Sequence, residues 1–186
     1  MASQIDRLFF AIRPDAQTAL RIEGLTQALR KQHRLKGRSL GPERFHVTLH
    51  LIGDFAGGVP PRVIEAALHA AQPVAGAASP FHASFDHVAS FRRKRRNMPV
   101  VLLGADEAEG VTRLQQSLYA ALVEAGLASG PASPVFTPHL CLFYDDLPLA
   151  PQPIDPLIWT VSELLLVRSL VGQSRHEVLA RLALRG

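Results

Sequence analysis

Two short stretches carry the residues best suited to chemistry. FHVTLHLIGD, from Phe45 to Asp54, and FTPHLCLFYDD, from Phe136 to Asp146, each run a histidine, an apolar residue, a small Thr or Cys, and a leucine. Side chains alternate along an extended strand, so His46 and Thr48 share one face, as do His139 and Cys141. Imidazole gives and takes protons near neutral pH, so a pair facing each other across a cleft can act as general acid and general base. A hydroxyl at Thr48 can donate to a non-bridging phosphate oxygen as negative charge builds there. This set suits displacement at phosphorus: one histidine activates the attacking oxygen, the other protonates the departing one. No metal is required by such a scheme.

Cys141 is the only cysteine of the chain and has four readings. It can be a nucleophile activated by His139, although a site for an anionic phosphate opposes thiolate formation. It can join His46, His139 and His50 around zinc, although no close pair of ligands at zinc spacing is present. It can be a small buried hydrophobe. It can also substitute for Thr as a much weaker hydrogen-bond donor, the reading that ranks first. By the same alternation His50 is expected at the rim of the His46 face. Phe143 falls on the His139 face, where its ring either stacks a base or fills the core.

The two histidines lie half a chain length apart, and each motif strand follows a helix and a loop. Internal duplication is the economical explanation. The elements expected around the motifs are a strand at Arg7–Arg13 ended by Pro14, and a helix from Ala16 to about His33 bearing Leu20, Ile22, Leu25 and Leu29. After a basic loop at Gly37–Pro42 comes the first motif strand, Phe45–Ile52, closed by Gly53-Asp54. A helix follows from Pro60-Pro61 to about Ala71, then a loop, QPVAGAASP. Strands at Phe81–Ser90 and Pro99–Gly104 form a hairpin. The helix Glu107–Ala125 shows the clearest stripe, Val111, Leu114, Leu118 and Leu122, with Gly126 as its stop. The second motif strand spans about 138–144, and strands at Trp159–Leu170 and Arg175–Leu184 complete the chain.

The 186 residues, 47% of them hydrophobic, suffice for one well-cored domain and exclude a disordered chain. The N-terminus lacks a secretory pattern, and no stretch approaches the roughly 20 apolar residues of a membrane span, so a soluble cytoplasmic protein is expected. The formal charge of +4 is concentrated in two clusters, Arg30, Lys31, Arg34, Lys36, Arg38 and Arg92, Arg93, Lys94, Arg95, Arg96. Each is a solvated loop or a surface for an anionic partner.

The paired motifs resemble those of the 2H phosphoesterases, defined by two His-x-Thr/Ser-x motifs, and within them the RNA 2′,3′-cyclic phosphodiesterase or 2′-5′ RNA ligase branch. RLFFAIRPD looks like that family's first strand, SFRRKRRNMPVVLLG its middle hairpin, and SELLLVRSL with HEVLARLAL its closing strand pair. The resemblance implies a bilobal α+β fold, one domain over residues 1–186 with two pseudo-symmetric lobes. Mostly antiparallel sheets would surround a central cleft, with helices outside. It implies hydrolysis of an RNA or nucleotide 2′,3′-cyclic phosphate to a 2′-phosphate without cofactor or metal, and weak 2′-5′ ligation in reverse. His46 would be the proton donor, His139 the proton acceptor, and Thr48 a phosphate-holding hydroxyl. Position 141 departs from the pattern, because the family has Thr or Ser there. RNA ends are the implied partners, with Arg92, Arg93, Arg95, Arg96 and Phe143 as candidate RNA contacts, and no membrane or obligate protein partner. The alternative is an RNA-end or nucleotide-binding protein whose catalysis Cys141 has impaired; a zinc-dependent hydrolase ranks third.

Overall fold

The computed structural model describes residues 4–91, 97–104, 108–128 and 136–186. Eight strands and three helices alternate as β1 (Ile5–Ile12), α1 (Ala16–Gln32), β2 (Val47–Ala56), α2 (Pro61–Ala77), β3 (Phe81–Ser90), β4 (Met98–Gly104), α3 (Glu109–Glu124), β5 (His139–Asp145), β6 (Gln152–Val161), β7 (Glu163–Leu170) and β8 (Arg175–Ala183). A single 3₁₀ turn, Pro42–Arg44, precedes β2. No described helix is long and apolar enough to cross a membrane.

The helices start and stop for local reasons. Asp15 caps α1: its carboxylate accepts from the Thr18 amide at 2.9 Å and the Thr18 hydroxyl at 2.8 Å. The buried face of α1 is Ala19, Ile22, Thr26 and Leu29, whereas Leu20, expected in the stripe, is 66% exposed. In α3 the stripe Val111, Leu114, Leu118 and Leu122 is buried as expected, and Gly126 ends the helix at φ 69°. Residues 105–107, including the expected start of this helix, lie outside the described residues.

Several element boundaries differ from expectation, among them the start of the first motif strand, at Val47 instead of Phe45. The α2 helix continues to Ala77, through the segment expected to be a loop. Pro73 removes one helical hydrogen bond, but it and His69, whose carbonyl loses its partner, face solvent. Buried Ala71 and Ala75 anchor the continuation, and the amides of Arg185 and Gly186 donate to the carbonyls of Ala75 and Ala78. The β2 strand runs past Gly53-Asp54 to Ala56, because β1 pairs with it along its whole length. Finally, Trp159–Leu170 is two strands broken at Ser162, and β6 begins at Gln152 despite Pro153 and Pro156. Prolines are tolerated there because β6 is an edge strand.

All strands form one antiparallel sheet in the order β6-β3-β4-β5-β2-β1-β7-β8. The halves β6-β3-β4-β5 and β2-β1-β7-β8 meet at a seam where, among the described residues, only Val47 and Leu140 pair. The two lobes thus share a sheet instead of carrying separate ones. Both seam residues are fully buried in the main core, which lies between the helices and one sheet face. On the other face Phe9, Ala11, Leu165 and Val167 make a small second cluster. The helices brace the seam: α1, which links β1 to β2, packs on β5 and β6, and α3, which links β4 to β5, packs on β2.

Candidate active site

The two motif strands have the same register against their neighbours. In one half Ile12, Ala11, Phe10 and Phe9 face Val47, Thr48, His50 and Leu51; in the other Leu102, Val101, Val100 and Pro99 face Leu140, Cys141, Phe143 and Tyr144. Each strand therefore skips one residue, Leu49 or Leu142, in a β-bulge at the equivalent position. A bulge reverses which face later side chains occupy.

This reversal corrects two expectations built on strict alternation. Phe143 is completely buried in the core, so it is not positioned to touch RNA. His50 leaves the His46 face and meets Tyr119 of α3, with ring centroids 5.5 Å apart. The residues that reach the cleft instead are Leu51 and Tyr144, each at the same offset from its histidine. Regular alternation hid them; the equal offsets are a signal only once one bulge is known.

His46, Thr48, His139 and Cys141 line one cleft of about 310 Å³ on the sheet face away from the helices, with Phe9, Arg7, Arg44 and His176 among the other walls. Continuing the antiparallel register from Val47 opposite Leu140 sets His46 across from Cys141 and Thr48 across from His139. Each histidine thus faces the small residue of the other half. Both rings are held alike: His46 Nδ1 is 2.6 Å from the Arg44 carbonyl, and His139 Nδ1 is 2.8 Å from the Thr137 carbonyl. A carbonyl only accepts, so each Nδ1 carries hydrogen and each Nε2 is left to take or give a proton.

The surroundings of the two rings differ. His46 packs against Phe9 and His176, each with ring centroids 5.1 Å away. Burial pushes its pKa down to about 4, and the positive charges of Arg13 and Arg44 push the same way, against the Arg44 carbonyl. His139 meets the ring of Phe91 edge-on, with centroids 4.9 Å apart. His176 was not anticipated from the sequence, where it has no motif of its own. It is the second residue of β8, opposite Ser169, another cleft residue. Burial and the proximity of His46, Arg44 and Arg13 lower its pKa to about 3, and its Nδ1 has no hydrogen-bond partner among the described residues.

Cys141 Sγ lies 3.7 Å from the Phe143 carbonyl, which accepts from the thiol across the bulge. Among the described residues no three His, Cys, Asp or Glu side chains are grouped to hold a metal ion. Arg92, Arg93, Arg95 and Arg96 lie outside the described residues. Arg7 reaches Asp54 with two hydrogen bonds, 2.7 and 2.8 Å, which hold the Asp54 carboxylate below its usual range.

The segment between α1 and β2 crosses to the other half and closes one end of the cleft. Buried Asp145 accepts from the amides of Lys36 and Gly37, both at 2.6 Å, and of Leu147 at 2.9 Å. The Leu40 amide donates to the Leu142 carbonyl at 2.9 Å. Gly37 has to be glycine, since a Cβ would lie 2.0 Å from the Tyr144 carbonyl oxygen. This strap carries Leu40 to the cleft wall and leads through the 3₁₀ turn to Arg44 and His46.

A family profile described as the 2′-5′ RNA ligase superfamily matches residues 14–173. No curated protein sequence matches the chain significantly. Among solved structures, TT0787 of Thermus thermophilus superimposes with a TM-score of 0.76 at 25% identity, covering 97% of this chain and 98% of that one. LigT of E. coli in complex with 3′-AMP gives a TM-score of 0.73 at 23% identity, covering 98% and 99%. Usb1 of Kluyveromyces marxianus is more distant, with a TM-score of 0.51 at 13% identity over 96% and 98%. With its two histidine motifs on either side of one seam, the chain belongs to the 2′-5′ RNA ligase superfamily of 2H phosphoesterases.

Proposed function

We propose that the protein hydrolyses 2′,3′-cyclic phosphate at RNA or nucleotide ends to a 2′-phosphate by two-histidine acid–base catalysis, with weak 2′-5′ ligation as the reverse reaction. The observation that carries this is the convergence of His46, Thr48, His139 and Cys141 on one cleft, with each imidazole's Nδ1 tied to a carbonyl. His139 Nε2 takes a proton from water as the oxygen attacks phosphorus; His46 Nε2 gives a proton to the departing 3′ oxygen. Thr48 donates to a non-bridging oxygen, where each such donor is worth about 3 kcal/mol in the transition state. A proton donor with a pKa of about 4 is unloaded in the empty cleft at pH 7. The bound anion favours the imidazolium and raises that value, so the proton arrives with the substrate.

The test is turnover of adenosine 2′,3′-cyclic phosphate with chelator present, with the product isomer identified. Release of adenosine 2′-phosphate is expected. Loss of activity with chelator, activity surviving in His46→Ala or His139→Ala, or a 3′-phosphate product overturns the mechanism.

A second reading rests on the Cys141 thiol, which is engaged by the Phe143 carbonyl. If phosphate-holding is too weak on that side, the protein binds cyclic or 2′-phosphate ends without turning them over. Cys141→Thr separates the two: a large gain in rate shows that the cysteine limits chemistry.

A further inference from the structure

One basic cluster of the sequence is not used by the proposed chemistry. The strap between α1 and β2, together with the C-terminal half of α1, forms a groove of about 580 Å³ lined by Arg30, Arg38 and Arg44, with Ser39 and Gly41 among its other walls. This groove opens from the catalytic cleft, since Leu40 and Arg44 line both. Arg44 links them directly: its carbonyl orients His46, and the residue lines both.

The three arginines share a further property. Arg7, Arg113, Arg168, Arg175 and Arg181 are each held by a carboxylate, but no carboxylate pairs with Arg30, Arg38 or Arg44 among the described residues. The Nε atoms of Arg30 and Arg44 are shielded from solvent and have no hydrogen-bond partner among those residues. Arg30 is steadied by one hydrogen bond, from its Nη1 to Gln27 Oε1 at 2.7 Å, and three guanidiniums without a carboxylate partner among the described residues make the groove attractive to an anion. Glu23 and Glu43 also line it. Glu23 is occupied by Gln27 and the Ser39 hydroxyl. The planar guanidinium fork matches two oxygens of a phosphate, which suits these residues to a phosphodiester.

Resting on the cyclic-phosphate reading of the cleft, we infer that this groove is a second anion subsite, for the phosphodiester on the 5′ side of the terminal nucleoside. The preferred substrate is then an oligoribonucleotide end, with at least one internucleotide phosphate, over a free cyclic mononucleotide. Such a contact raises affinity for any base sequence, because phosphates carry no sequence information.

The experiment compares kcat/KM for adenosine 2′,3′-cyclic phosphate with that for the dinucleotide ApA bearing a 2′,3′-cyclic phosphate. The native protein and the Arg30→Gln/Arg38→Gln variant are measured side by side. The dinucleotide is expected to be about tenfold or more the better substrate, and the variant to lose most of that ratio. The advantage should also fall with salt, by roughly 0.7 log unit per log unit of salt for the added phosphate. A ratio near one in the native protein, or a ratio unchanged in the variant, overturns the subsite and leaves the proposed function standing. If neither compound is turned over, the proposed function fails, and calorimetric binding of ApA 2′-phosphate against adenosine 2′-phosphate decides the subsite. Tighter dinucleotide binding lost in the variant supports it, and equal affinities overturn it.

Discussion

The motif strands β2 and β5 have one backbone and two environments. Their registers, bulges and histidine–carbonyl bonds correspond position by position. What surrounds the rings does not: His46 packs against Phe9 and His176 and feels the charges of Arg13 and Arg44, whereas His139 meets the edge of Phe91. The small residue also changes, from Thr48 to Cys141. Main-chain geometry duplicates the placement of an imidazole, while packing and charge decide when that imidazole holds a proton. Under the proposed mechanism, this difference lets one repeated motif supply both an acid and a base.

The comparison breaks most visibly if one histidine is dispensable. His46→Ala and His139→Ala are each expected to lower kcat on a cyclic nucleotide by about a thousandfold, within the usual range for a lost general acid or base. A variant retaining more than a tenth of native activity would show that the halves do not act as a pair. Next in size is Thr48→Val, expected to cost about a hundredfold in kcat with little change in KM. Its counterpart, Cys141→Thr, should gain up to about tenfold if the thiol is the weaker donor; equal rates would make the two positions functionally unlike.

Asp145→Asn removes a charged acceptor from the strap and should destabilise the protein by about 2 kcal/mol in urea denaturation. Burial works to raise the Asp145 pKa, but the amides of Leu147, Gly37 and Lys36 outweigh it and the net shift is downward. Its contribution to stability is therefore present above the ordinary carboxylate value and is lost as pH falls through the lower folded one. The smallest expected signal sharpens the contrast between the rings. Inorganic phosphate binding at pH 7 should be accompanied by uptake of up to one proton, seen as a buffer-dependent enthalpy in calorimetry. His46→Gln should abolish most of the uptake, and an unaltered value would place the proton elsewhere. In the free protein the sign is the opposite: a neutral His46 stabilises above the unfolded value near 6.5, and that stability is lost as pH falls toward 4.

Much of this arrangement was legible in the residues. The α3 stripe is strongly periodic and lies where its spacing indicates, and the four motif side chains share one cleft because strand alternation holds across each tetrapeptide. Alternation stops being informative at Leu49 and Leu142. A bulge is a matter of pairing with a neighbouring strand, and no residue in HVTLHL or HLCLFY announces it. Strict alternation therefore puts Phe143 and His50 on the cleft face, where the structure has Tyr144 and Leu51. The extents of β6 and α2 also depend on tertiary position, since Pro153 and Pro156 sit on an edge strand and Pro73 faces solvent. His176 could not be found by motif at all; it reaches His46 through the order of strands in the sheet.

That strand order has one more consequence. The β6 and β7 strands stand in different halves of the sheet, near opposite ends of the strand order, yet only Ser162 lies between them in the chain. A one-residue link reaches only a few ångströms, so the sheet has to curl until its two flanks come together there, fastened by the bond from the Leu184 amide to the Ser162 carbonyl. This clasp thus joins the halves behind the seam, in addition to the strap and the helices that brace it. Curvature of the sheet, and with it the gap that faces a substrate, is governed partly by chain length at a serine that touches nothing in the cleft.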